Sequence, residues 1–78
     1  MTVQIEKTRI DKLVHDARGP LNAIAMNAEL AQLLSRGGTN PERLQQSLLV
    51  IVRECQRCSQ ILQEFRAEAT SQQGTAQP

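Results

Sequence analysis

From Ile10 onward, apolar residues recur at Val14, Ala17, Leu21, Ile24, Ala28 and Ala31, in unbroken four- and three-residue steps. Steps of that size follow the helical period and lay one seam along an α-helix packed in a bundle. Leu13, Leu30 and Leu34 widen the seam. A second run, Leu44, Leu48, Ile51, Cys55, Cys58, Leu62, Phe65 and Ala69, repeats the pattern without a slip in phase. The core of such a protein is aliphatic, because Phe65 is the only aromatic residue in the chain.

Between the two runs lies SRGGTNPER. Gly37 and Gly38 suit the left-handed conformation that ends a helix, Asn40 suits an N-cap, and Pro41 suits the first helical position after it. Glu42 falls in the first turn, where a carboxylate complements the helix dipole. The expected fold is therefore all-α, an antiparallel two-helix hairpin with one helix over about residues 5–36, a turn over 37–40 and a second helix over about 41–69. The opening TVQIEKTR either extends the first helix or forms a short lead-in. Past Ala69 the stretch TSQQGTAQP carries no apolar period, and residues 70–78 are expected to form a flexible tail.

A chain of 78 residues makes at most one small domain. Each helix carries an apolar stripe wider than one neighbour covers, and the simplest completion is a homodimer in which two hairpins form a four-helix bundle about a twofold axis. Nine basic and eight acidic side chains are scattered to a net charge of +1, with no basic stripe, which argues against nucleic acid as a partner. The longest aliphatic run, LLVIV at residues 48–52, falls far short of the roughly 20 residues that span a bilayer, and the N-terminus shows no signal-peptide pattern. The expectation is a soluble, cytoplasmic chain without membrane contact.

Cys55 and Cys58 form a C-x-x-C, the spacing of a redox pair or half a metal site. Both fall on the second seam. Buried free cysteine packs as a small hydrophobe, whereas a redox cysteine needs exposure and a lowered pKa. Packing is the reading adopted, with no metal site expected.

The segment LVHDARGPLNAI, residues 13–24, places a glycine and a proline inside the first helix, just after the chain's only histidine. Within a helix, proline costs around 3 kcal/mol and glycine roughly 1 kcal/mol. A break there would lose the seam's phase, yet Ala17, Leu21 and Ile24 keep it, so a continuous helix is expected. Pro20 has no N–H for the carbonyl of Asp16, which weakens the turn beside His15. His15 follows the seam residue Val14 and so turns outward, and Gly19 one turn on adds no bulk. An accessible imidazole of this kind suits a nucleophile attacking a bulky, charged group.

The run His15, Asp16, Ala17, Arg18, Gly19, Pro20, Leu21 resembles the H-box of two-component sensor histidine kinases, found in their dimerisation and histidine phosphoacceptor (HisKA-type) domain. The resemblance extends over about residues 5–69. It implies phosphoryl transfer to a ring nitrogen of His15, with Asp16 as a base or orienting group. Helix geometry alone does not dictate that second role, because adjacent residues do not face one another. The resemblance also implies docking of an ATP-binding kinase domain or of a response-regulator receiver domain carrying a phosphorylatable aspartate.

Lys12 and Arg18, three residues either side of His15, either attract a phosphoryl oxygen or acidic partner or are plain solvated charges. Counting back from the turn sets His15 level with about Ile61, so Arg57 and Gln60 join Gly19 and Pro20 as candidates for framing a docking surface. Family members that also dephosphorylate their regulator carry Thr or Asn four residues after the histidine; Gly19 stands there instead, which speaks against that route. These residues contain no Gly-rich nucleotide boxes, so no cofactor is expected on this chain, and ATP and Mg would act only through a separate kinase domain. Two readings follow, a phosphoacceptor module lacking kinase activity of its own, or a non-catalytic helical hairpin that binds and modulates a kinase or regulator. Whether the chain stands alone or belongs to a longer kinase is left open.

Overall fold

The computed structural model describes the backbone of residues 2–74 and the side chains of residues 7–70, and there the chain is two helices, α1 (Thr2–Gly37) and α2 (Pro41–Gly74), packed against each other. The turn is built as its residues dictate. Gly38 takes a positive φ of 65° and donates its N–H to the Leu34 carbonyl at 3.0 Å, closing the C-terminus of α1. Two residues on, the Asn40 side-chain oxygen accepts the N–H of Arg43 at 3.1 Å, and its carbonyl accepts that of Leu44 at 3.1 Å, with Pro41 opening α2.

Helix α1 is continuous through Pro20. It begins at Thr2, so TVQIEKTR belongs to the helix. Helix α2 runs past the expected end at Ala69 to Gly74. The reason is local: Thr70, Ser71, Gln72 and Gln73 include no helix breaker, and the first such residue is Gly74 itself. The expected tail is thus helical over residues 70–74, and its remainder, 75–78, lies outside the described residues.

The seam read as one stripe divides into two. Leu13, Ala17, Ile24, Leu30 and Leu34 are half-buried on α1, as are Leu44, Ile51, Cys58, Ile61 and Phe65 on α2; these residues join the helices of the hairpin. Ala31 and Ser47, both small residues, are buried, and Pro20 is buried too. Ile10, Val14 and Leu21 on α1, with Leu48 and Leu62 on α2, remain exposed although they fall on the same four- and three-residue steps. From Val14 onward on α1, and as far as Phe65 on α2, alternate members of each series therefore point to different sides, as expected when a helix packs against two neighbours in a bundle. Among the described residues no large side chain is fully buried. The cysteines separate in the same way: both are free, with Cys58 half-buried and Cys55 exposed, so the packing role expected of the pair holds within this chain for Cys58 alone.

Glycines 19 and 38 make opposite demands. A Cβ at Gly19 meets nothing within 4 Å, whereas Gly38 holds a left-handed backbone. Gly19→Ala is expected to stabilise the chain by about 1 kcal/mol, and Gly38→Ala to destabilise it by about 1 kcal/mol. Asn40→Ala, which removes the cap, is expected to destabilise by about 1 kcal/mol. Urea unfolding of the three variants measures these changes; a loss of stability on Gly19→Ala would contradict the uninterrupted, open helix described at that position.

Candidate functional site

The phase that directs Leu13 and Ala17 toward α2 leaves His15 on the outside of α1. Its side chain is 89% exposed, so nothing obstructs approach to the ring. The glycine one turn on adds no bulk, and the space where its Cβ would stand is open. Pro20 completes the turn from the inside. Expected among the binding residues, it is instead buried, which leaves its influence on the site to the backbone: the carbonyl of Asp16 has no N–H to accept at position 20.

Asp16 holds the centre of a short polar chain. Its Oδ2 accepts a hydrogen bond from Lys12 Nζ at 2.9 Å, and its Oδ1 lies 3.4 Å from His15 Nδ1. The contact between neighbours in sequence, which helix geometry does not favour, is thus made by the short carboxylate reaching sideways. An ionised carboxylate only accepts hydrogen bonds, so this contact is a hydrogen bond in the tautomer that carries its proton on Nδ1, the form that leaves the lone pair on Nε2. The hydrogen bond from Lys12, and after it that from His15, holds the Asp16 carboxyl below the usual carboxylate range. In return Asp16 raises the Lys12 ammonium above its ordinary value, with smaller contributions from Glu68 and Glu64 of α2.

Those two glutamates belong to a shallow cleft between the helices, lined also by Arg9, Lys12, Asp16 and Ile61. Asp16 and Ile61 sharing one cleft fits the register counted from the turn. The other residues expected around His15 are spread out. Arg18 lines an apolar groove with Val14, Ala17, Leu21 and Leu62, away from the carboxylates. Arg57 lies on α2 with its Nη1 3.9 Å from Glu54 Oε1, and Gln60 donates to Glu64 Oε2 at 3.5 Å. Neither reaches His15. Glu64 and Glu68 went unread in the sequence, although the same count that placed Ile61 also sets Glu64 within one turn of it. The Lys12–Asp16 pair had a visible signal in its four-residue spacing. Among the described residues no cluster of His, Cys, Asp and Glu is arranged to hold a metal ion. Nor, among them, is any helix long and apolar enough to cross a membrane.

The arrangement is therefore an accessible imidazole with one nitrogen held by a carboxylate and the other free, on an unbroken helix of a two-helix hairpin. Comparison with curated proteins and with solved structures gave no match. The family model of the His Kinase A (phospho-acceptor) domain matches residues 7–74, a stretch that contains His15, the turn and nearly all of both helices. The chain belongs to that family, the phosphoacceptor and dimerisation domain of two-component histidine kinases.

Proposed function

We propose that His15 is the phosphoacceptor of this domain, that it receives its phosphoryl group from an ATP-binding kinase domain outside these residues, and that it passes the group to the aspartate of a receiver domain. The observation that carries the proposal is a histidine 89% exposed within the family-matched stretch, five residues before a proline that leaves the helix unbroken. In the first step the lone pair on Nε2 attacks the γ-phosphorus in line. An N–P bond forms, the P–O bond to ADP breaks, and ADP leaves. Positive charge then develops on the ring, and the carboxylate of Asp16 at Nδ1 stabilises it. In the second step a carboxylate oxygen of the receiver attacks the same phosphorus, the N–P bond breaks, and the neutral ring returns.

Nucleotide and magnesium act through the kinase domain rather than through this chain. Gly19 offers no side chain to hold a water against phosphorus, so dephosphorylation by a residue at that position is not part of the proposal.

The proposal includes a homodimer. Val14, Ala17 and Leu21 of α1 line one groove with Leu62 of α2, so exposed apolar residues of both helices meet on a single side of the hairpin. A second hairpin laid on that side covers Ile10, Val14, Leu21, Leu48 and Leu62 and supplies the interior that one copy lacks. His15 lies off this stripe and stays accessible.

With labelled ATP and the cognate kinase domain, the wild-type chain is expected to take up an acid-labile, alkali-stable label, and His15→Gln none. Label that persists in His15→Gln would remove His15 from the reaction, and a chain that binds its partners but is never labelled would mark a non-catalytic interaction module. Sedimentation equilibrium at micromolar concentration is expected to give the mass of two chains; the mass of one would contradict the bundle.

A further inference from the structure

We infer that Lys12 is a positioning residue for the phosphoacceptor: by engaging Asp16 Oδ2 it fixes the carboxylate so that Oδ1 holds the Nδ1–H of His15 and leaves Nε2 as the attacking atom. The inference rests on the reading of His15 as phosphoacceptor, and it concerns a residue that touches neither the phosphoryl group nor the reacting nitrogen.

The geometry carries it. A lone aspartate on a helix surface turns about its side-chain bonds and presents either oxygen in many directions. Here one oxygen is held by Lys12 Nζ at 2.9 Å, and the other is left 3.4 Å from the ring. That second distance is at the long end for a hydrogen bond, so it depends on the carboxylate being held in place, and it tightens as the ring gains positive charge.

Helix stability accounts for the pair only in small part. Lysine four residues before an acidic residue is the less favourable order, and Asp16 lies mid-helix, far from the terminus where a carboxylate helps. The surroundings give Lys12 a second task. Glu64 and Glu68 of α2 line the same cleft as Asp16, together with Arg9. Three carboxylates on one cleft repel one another, and Lys12 stands among them as the cation bonded to Asp16. Without it, Asp16 is expected to turn away from the glutamates and lose its alignment with His15.

The same hydrogen bond favours the ionised form of Asp16 and holds its carboxyl below the usual range. The ionised carboxylate, with Oδ1 3.4 Å from Nδ1, is placed to orient the ring and to stabilise charge that develops on it.

Nitrogen-15 NMR of the His15 ring in the full chain reads this directly and needs no partner. At a pH where the ring is neutral, wild-type protein is expected to show Nδ1 protonated and Nε2 bare. Lys12→Met is expected to give a mixture of both tautomers, and Lys12→Arg to restore the wild-type pattern. In Lys12→Met the Asp16 carboxyl is expected to titrate at higher pH than in wild type, because the hydrogen bond that favours its ionised form is gone.

Phosphorylation by the kinase domain is expected to slow about fivefold in Lys12→Met, in kcat rather than KM, as suits the loss of one exposed charged contact. Circular dichroism checks that the helices persist. A wild-type tautomer pattern and rate in Lys12→Met, with both altered in Asp16→Asn, would overturn the role of Lys12 while leaving Asp16 its own. A rate that falls in Lys12→Met without any change of tautomer would also overturn it, pointing to direct contact with the phosphoryl group or the partner. Label retained by His15→Gln would instead defeat the underlying assignment of the phosphoacceptor.

Discussion

The continuity of α1 through Pro20 is the constraint on which the rest depends. Because the helix does not break there, one angular phase governs residues on both sides of the proline. Leu13, Ala17 and Ile24 turn to α2, while Val14 and Leu21 turn to the open apolar side. His15 belongs to neither set and is left in solvent. A break at the Gly-Pro step would have released His15 from this register, and neither its exposure nor its distance to Asp16 would follow from the packing. The proline is tolerated because it removes a single backbone hydrogen bond from a long helix, and Pro20 itself is buried on the side held by packing.

Much of this was legible in advance, for reasons particular to each element. The turn could be read because Gly38, Asn40 and Pro41 each have a narrow conformational use, and the structure employs each in that use. The helices could be read because their apolar steps never slip. What periodicity does not resolve is how a stripe is shared between neighbours. Leu13 and Val14, or Cys55 and Cys58, fit the same seam in sequence, and only the packing of α1 on α2 separates them. The end of α2 is not legible from periodicity, because the lack of an apolar period is not a lack of helix: polar residues without a breaker extend an established helix as far as Gly74.

The site was partly legible too. The exposure of His15 follows from its place beside Val14, and the open space at Gly19 from its place one turn on. Side-chain rotamers do not follow from spacing, and so the sideways reach of Asp16 to the ring appeared only with coordinates. Pro20, a candidate for framing the docking surface, is buried, because a single helical step of about 100° from the exposed Gly19 carries it inside. The cleft that joins Lys12 and Asp16 to Glu64 and Glu68 depends on residues of two helices meeting, which a reading along one helix does not reach. Around His15, then, the apolar pattern sets where the ring stands, and a small group of charges sets how it is turned.

Phosphorus-31 NMR of the full chain after incubation with its kinase domain, ATP and magnesium tests this account most directly. The account predicts one phosphoramidate resonance that couples to a His15 ring nitrogen. A signal from a phosphate ester or an acyl phosphate on another residue, with the imidazole of His15 unaltered, would contradict it.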